Sequence, residues 1–375
     1  VLHVPVVSIP AAMLHSQRPE TVYLLTDCAQ IPLDALLTLE DPPQLLPSTA
    51  TLTLTDHNYW KKNPTKKKTK QEWSVTEILD HHLDEGYHTD TCPTQGRTIA
   101  FDATTRTALV ASTATLVAEQ YYATVTTSLT ATTTAQTMPP SLAIVLFGTI
   151  LLDSINMSPS AQKGTARDAI ILHRLLYETD WDQLALPHAI LVEEDPTEEE
   201  EEEAEAEADV KQDSRISMDI RRRRRRRRNS RPDPTKLFQQ LQQAKFAPQF
   251  WQQLTPAQAI RMDYKTFQCR GVVPTNHHEV VLGLGSILVP MEQFLGGTTT
   301  TTTTNTHNAK TTTEEVYDTM ARIMDDDHLA LLGLLFFSMV EPADPHNSQD
   351  EPGRRRQLML ASYQKEQLED LVASL

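Results

Sequence analysis

Apolar and polar residues alternate through Leu52, Thr53, Leu54 and Thr55 and stop at Asp56, the period of a half-buried strand with an acid at its tip. A second apolar run, through Ile78 and Leu79, stops at Asp80 and is followed by two adjacent imidazoles, His81 and His82. A longer run from Leu146 delivers Asp153 in the same manner. Acids at the carboxyl ends of strands in an open α/β sheet are placed where ligands bind, because the crevice outside the strand ends collects several loops. Carboxylate and imidazole together suit Mg²⁺, Mn²⁺ or Co²⁺, whereas thiolates would suit Zn²⁺ and an all-oxygen cage Ca²⁺.

Elsewhere the pattern predicts a first strand over residues 1–10 and a short apolar run over 22–27. A helix is expected over 107–122, from the spacing of Leu109, Val110, Thr113, Leu116 and Val117, with the small residues Ala111 to Thr113 at its start. Free amides at such a start could hold a phosphate. A further helix over 166–177 would bury Ile170, Ile171, Leu175 and Leu176. Lys163 and Arg167 just before and inside it either face the metal crevice or form a helix-entry ion pair with Asp168. Helical periodicity resumes at Pro234, and Thr255-Pro256 reads as an N-cap and first helical residue. Residues 271–295 read as strand, turn and strand-to-helix.

Charge and composition add the boundaries. The net charge is −16, but residues 193–209 hold twelve acids and no base, and residues 221–228 are eight consecutive arginines. Like charges in blocks bury nothing, so residues 191–233 are expected to be a disordered linker between a domain over 1–190 and a smaller one over 234–375. Threonine-rich stretches at 126–137 and 297–313 are expected to be loop insertions. Six lysines between 61 and 70 form either an electropositive rim or, as favoured here, a solvated loop. Asp325-Asp326-Asp327-His328 and His277-His278-Glu279 are read as turns. Three scattered cysteines exclude a disulfide framework and a CxxC zinc site and point to a reducing, cytoplasmic setting. The longest apolar runs, 142–152 and 329–340, fall short of the ~20 residues a membrane span needs and are buried strands or core helix segments.

The segments Thr55-Asp-His-Asn58, Leu79-Asp-His-His82, 112–119 (STATLVAE), 148–159 (GTILLDSINMSP), 163–168 (KGTARD) and 261–267 (RMDYKTF) resemble, in order, the DHH phosphoesterase superfamily. The likeness is to the branch holding exopolyphosphatases, prune and family II inorganic pyrophosphatases. It implies an α/β, parallel-sheet DHH domain followed by an α+β DHH-associated carboxyl-terminal domain. It also implies a two-metal centre loaded with Mn²⁺ or Mg²⁺, with Co²⁺ as a third candidate, hydrolysing the phosphoanhydrides of polyphosphate or pyrophosphate. In that scheme Asp56 bridges the cations, His81 and Asp153 complete one shell, and His82 contacts phosphate or orients the nucleophile. Asp80 would fix an imidazole tautomer, and Lys265, Lys163 and Arg167 would contact substrate phosphate. The relatives' first Asp-x-Asp motif and closing Ser-Arg-Lys motif find no counterpart, so truncation at both ends is expected. The runner-up is a prune-like regulatory scaffold with weak or absent phosphodiesterase or short-chain polyphosphatase activity. Neither a membrane nor nucleic acid is an expected partner, and the sequence leaves the oligomeric state undefined.

Overall fold

The structure, a computed structural model, describes residues 5–7, 9, 13–14, 17–38, 48–60, 72–128, 137–192, 231–251, 253–270, 279–295, 313–340 and 353–362. Two compact units divide the chain: Val1–Leu14 with Glu20–Gln243, and His15–Pro19 with Ala244–Leu375. In the first, β1 (Val6–Val7) pairs in parallel with β2 (Leu37–Thr38). Between them α1 (Pro19–Tyr23) runs into a wider helical turn, Leu24–Cys28, that buries Leu24 and Cys28.

The expected strand before Asp56 is β3 (Thr49–Thr55), and the run before His81 is β4 (Glu72–Asp80). They pair in parallel, and β5 (Arg97–Ile99) extends the sheet on the other side of β4. The register slips once: Leu52 pairs with Val75 but Thr53 pairs with Glu77, leaving Thr76 as an extra residue. In an unbroken strand Val75 and Ile78, three apart, would face opposite ways. The bulge puts both into one cluster with Leu54 and Cys92, and turns Leu79 into a second cluster with Ala100, Val110 and Leu116. It thereby sets the directions in which β4 presents its last residues.

A short hairpin, β6 (Phe101–Asp102) with β7 (Thr107–Ala108), leads to α2 (Thr113–Ser128). That helix starts at Thr113 and not at 107, because residues 107–108 pair in β7 and the Ser112 hydroxyl, accepting from the Ala114 amide at 3.2 Å, caps it. The run expected to be a strand ending at Asp153 is instead α3 (Pro140–Asp153), with Pro140 at its first turn. Its fourteen residues exceed a strand's usual length; Leu146 and Gly148 are buried beside the stripe of Ala143, Ile144, Phe147, Ile150 and Leu151, and no residue from 141 to 152 is exposed. A Cβ on Gly148 would lie 2.7 Å from Leu24 Cδ1, so glycine permits this close approach.

Next, α4 (Ala166–Glu178) opens with a capping box of Thr165 and Asp168. Its buried face is Asp168, Ile171, Leu172 and Leu175, an i, i+3, i+4, i+7 stripe, and Ile170, expected inside, is 60% exposed. Beyond the charged segment, α5 (Pro234–Phe246) buries Leu237 and Leu241 in the same core as Ile150 and Leu175. The boundary between the units therefore falls after Gln243, whereas composition had placed it at residue 234.

The second unit holds α6 (Pro248–Trp251) and α7 (Pro256–Met262), the latter capped by Thr255 as expected, with Gln258 completing a capping box. Its mixed sheet has the order β11-β10-β9-β8, from β8 (Tyr264–Arg270), β9 (Glu279–Ile287), β10 (Leu331–Val340) and β11 (Gly353–Ser362). Only β9 and β10 are parallel, joined through α8 (Met291–Phe294) and α9 (Thr313–Asp326). A Cβ at Gly285 would sit 3.0 Å from the Ile260 carbonyl, which explains a glycine where α7 meets β9. Asp325 and Asp326 end α9, and Asp327 accepts from the Tyr264 hydroxyl at 2.7 Å. The lysine run, the acidic and arginine runs, His277-His278 and most of both threonine-rich stretches lie outside the described residues. Among the described residues no helix is long and apolar enough to cross a membrane.

The two faces of α4 give a direct test by urea unfolding. Ile171→Ala, at a site 3% exposed, is expected to cost about 2–5 kcal/mol, whereas Ile170→Ala should change stability by less than about 0.5 kcal/mol.

Candidate metal centre

Asp56 follows the last residue of β3 with φ 68°, in the left-handed region that a short polar side chain tolerates better than most. Its amide donates to the Leu79 carbonyl at 3.0 Å, so the sheet's pairing extends to the residue that turns the carboxylate out. Asp80, the last residue of β4, has no exposure at all. It is satisfied by four donors: the amides of His81 (2.8 Å) and His82 (3.2 Å), His82 Nδ1 (2.7 Å) and Asn58 Nδ2 (2.7 Å). Three of these bonds fall on Oδ1 and one, from Asn58, on Oδ2, and it is the complete burial of the side chain that keeps it from an outside cation.

Both imidazoles are oriented through Nδ1. His82 Nδ1 donates to Asp80, and His81 Nδ1 donates to the Val110 carbonyl at 3.1 Å. Nε2 is thereby the ring atom turned toward the prospective ligand group, the arrangement by which a second hydrogen bond fixes a ligand's tautomer. His81 Nε2 lies 3.4 Å from Asp56 Oδ1, which also accepts from the Thr113 hydroxyl at 2.9 Å. Among the described residues no donor bonds Asp56 Oδ2. Ligand atoms of Asp56, His81 and His82 all fall within 4.8 Å of one another.

The loop after the histidines is held as firmly. Asn58, 4% exposed, donates also to the Leu83 carbonyl at 2.9 Å and accepts from the Glu85 amide at 3.0 Å. Asp84 forms a two-pronged ion pair with Arg97, whose third donor reaches the Tyr87 carbonyl at 2.8 Å. The sequence pattern marks Asn58 only as part of a motif and Thr113 only as a small residue at a helix start, and it says nothing of the Val110 carbonyl. The one usable signal was an amide side chain two residues past a strand-end acid.

Desolvation against the sheet edge works to raise the Asp56 carboxyl, but hydrogen bonds from His81 and Thr113 outweigh it and hold the group below its ordinary range. At Asp80 burial also pushes upward and is overcome by His82 and Asn58. His81 moves the other way: the hydrogen bond to Asp56 raises it above the ordinary imidazole value, against the lowering effect of burial.

The remaining candidates are distributed differently. Asp153 ends a helix, is exposed, and is not one of the three grouped residues; its placement at a strand tip is corrected. In the three residues Ile155, Asn156 and Met157, just beyond it, φ is 54°, 50° and 56°, a run of left-handed backbone costing roughly 1–2 kcal/mol per residue. Arg167 donates from both Nε (3.0 Å) and Nη2 (2.5 Å) to Glu119, and its partner is not Asp168. Lys163 is exposed between the turn at Pro159–Ala161 and α4, and Lys265 is exposed on β8 of the second unit.

The donor set fits a divalent cation: one carboxylate with unused lone pairs and two imidazoles. A scan against protein-family models finds none that matches, and no curated protein matches the chain. Among solved structures it is similar to a protein of Methanococcus jannaschii provisionally assigned as a family II inorganic pyrophosphatase. The two share 14% identity over 90% of this chain and 83% of that one, with a TM-score of 0.45. A likeness at that level carries no argument, and the chemistry rests on the chain's own residues.

Because Asp80 titrates lower in the folded protein than in the unfolded chain, its stabilisation is present above about pH 4 and is lost as the pH falls through the folded value. Asp80→Ala should therefore cost roughly 2–4 kcal/mol at pH 7, since it strands buried donors, and the difference from wild type should narrow toward pH 3. Urea unfolding at pH 7, 5 and 3 measures both.

Proposed function

We propose that this chain is a divalent-metal-dependent phosphoanhydride hydrolase of the DHH phosphoesterase type, releasing phosphate from inorganic polyphosphate, with pyrophosphate as the shortest substrate of the class. The observation that supports it is the convergence of Asp56, His81 and His82, with each ring held through Nδ1 by a neighbour that is not itself in the group. Polar residues placed so at two adjacent strand ends, beside a fully buried Asp80, are arranged to present donor atoms and not to fill space.

Asp56, His81 and His82 would hold the metal, with Asp153 as the additional ligand that the sequence resemblance supplies. Bound divalent cations would supply Lewis-acid polarisation of a phosphoryl oxygen and a more acidic water. The protein's own part is orientation. Asp80 keeps the His82 proton on Nδ1, Val110 keeps the His81 proton on Nδ1, and Thr113 fixes one oxygen of Asp56 so that the other faces outward. Exposed Lys163, ahead of α4, is the candidate for substrate phosphate, whereas Arg167 would first have to leave Glu119.

Phosphate release from tripolyphosphate and pyrophosphate in Mn²⁺ or Mg²⁺ should fall at least about 100-fold in Asp56→Ala and in His81→Ala. Release that persists in both variants would overturn the assignment. A second expectation comes from His81. Its raised pKa means that protons compete with the cation, so Mn²⁺ affinity measured by calorimetry should rise with pH by up to about tenfold per unit below that value and level off above it.

A further inference from the structure

Asp168 is fully buried, yet the centre just described does not include it. Its capping-box duty requires only the bond from the Thr165 amide, which it accepts at 2.9 Å with the Thr165 hydroxyl at 2.7 Å. Two further donors come from a distant stretch of chain: the Ala111 amide at 2.9 Å to Oδ2 and the Thr115 hydroxyl at 2.6 Å to Oδ1. Neighbouring Arg167 gives its hydrogen bonds to Glu119 instead. Burying a carboxylate is costly, and a helix start needs no such burial. The two extra bonds fall on either side of Thr113.

That stretch carries both groups that orient the centre. The Val110 carbonyl, one residue before Ala111, takes the Nδ1 proton of His81, and Thr113, between the two anchored residues, donates to Asp56. We infer that Asp168 is a positioning residue for the metal centre: it clamps residues 110–115 to the start of α4 so that the Val110 carbonyl and the Thr113 hydroxyl hold His81 and Asp56 in ligand geometry. The inference rests on the metal-centre reading but adds a residue that touches neither cation nor substrate.

The test is Mn²⁺ affinity by calorimetry beside an unfolding curve for each variant. Thr115→Val, equal in shape, and Asp168→Ala are expected to weaken Mn²⁺ binding about 10- to 100-fold, as loss of a group behind a ligand does. Asp168→Asn, which keeps an acceptor for Ala111, should recover part of that loss. Thr165→Ala removes the capping hydroxyl while leaving Ala111 and Thr115 bonded, so it should lower the unfolding midpoint and leave Mn²⁺ affinity within about twofold. Wild type that binds Mn²⁺, with His81→Ala abolishing it and Thr115→Val and Asp168→Asn binding as wild type does, would overturn the clamp alone. Wild type with no Mn²⁺ binding would overturn the metal centre and the clamp together. Should Asp168→Ala not fold, Thr115→Val still decides.

Discussion

A carboxylate with no exposure ends the central strand, and most of the first unit's local geometry follows from satisfying it. Asp80 needs four donors, and they come from the turn that follows it and from Asn58 on the neighbouring strand end. Meeting that need bends residues 80–82 back over the carboxylate and fixes the tautomer of His82. Asn58 then spends its remaining groups on Leu83 and Glu85, so the loop shape is set by the same constraint. The scale of this network separates it from surface charge pairs such as Arg174 with Glu178, each worth only about 0.3–0.5 kcal/mol. Charge-assisted bonds to a buried acid contribute about 1.5–3 kcal/mol each, and losing one partner leaves the other uncompensated.

Two backbone irregularities aim the site. The bulge at Thr76 lets Ile78 share a cluster with Val75 while Leu79 faces the other way. Without it Ile78, Leu79 and Asp80 would each turn over, because a one-residue slip exchanges the faces of a strand. The left-handed conformation of Asp56 is the second device, with its amide still bonded to Leu79 while the carboxylate leaves the sheet's edge. Strain of this kind persists where surrounding structure over-determines it, here through pairing on one side and Thr113 on the other.

What was legible in the sequence was local. The alternation at Leu52 and Leu54 gave β3 and placed Asp56 at its end, and Thr255-Pro256 gave the start of α7 to the residue. The strand reading of the run into Asp153 failed because α3 is apolar around most of its circumference, so no period distinguishes a buried helix from a buried strand. Ile170 was misplaced because the stripe on α4 begins at a polar residue, Asp168, that no hydrophobicity pattern counts. The unit boundary was drawn from charge, which marks where a chain cannot pack but not which core the next helix joins; Leu237 and Leu241 join the first. The bonds that Asp168 accepts from Ala111 and Thr115 span more than 50 residues and leave no local trace.

Burial sorts the acids of this unit into two kinds. Asp80 and Asp168 are both fully buried, and among the described residues each accepts four hydrogen bonds, three on one oxygen and one on the other. Neither reaches the surface where a cation could meet it, so both side chains serve structure. Asp56 is the opposite case: its side chain is 63% exposed, and among the described residues bonds engage only one oxygen. The same side chain therefore holds the backbone where it is buried and offers an open coordination position where it is not. His82 repeats the division within a single ring, with Nδ1 committed to Asp80, whereas His81 commits Nδ1 to Val110 and turns Nε2 toward Asp56. An acid's place in this site is decided by whether the fold buries it.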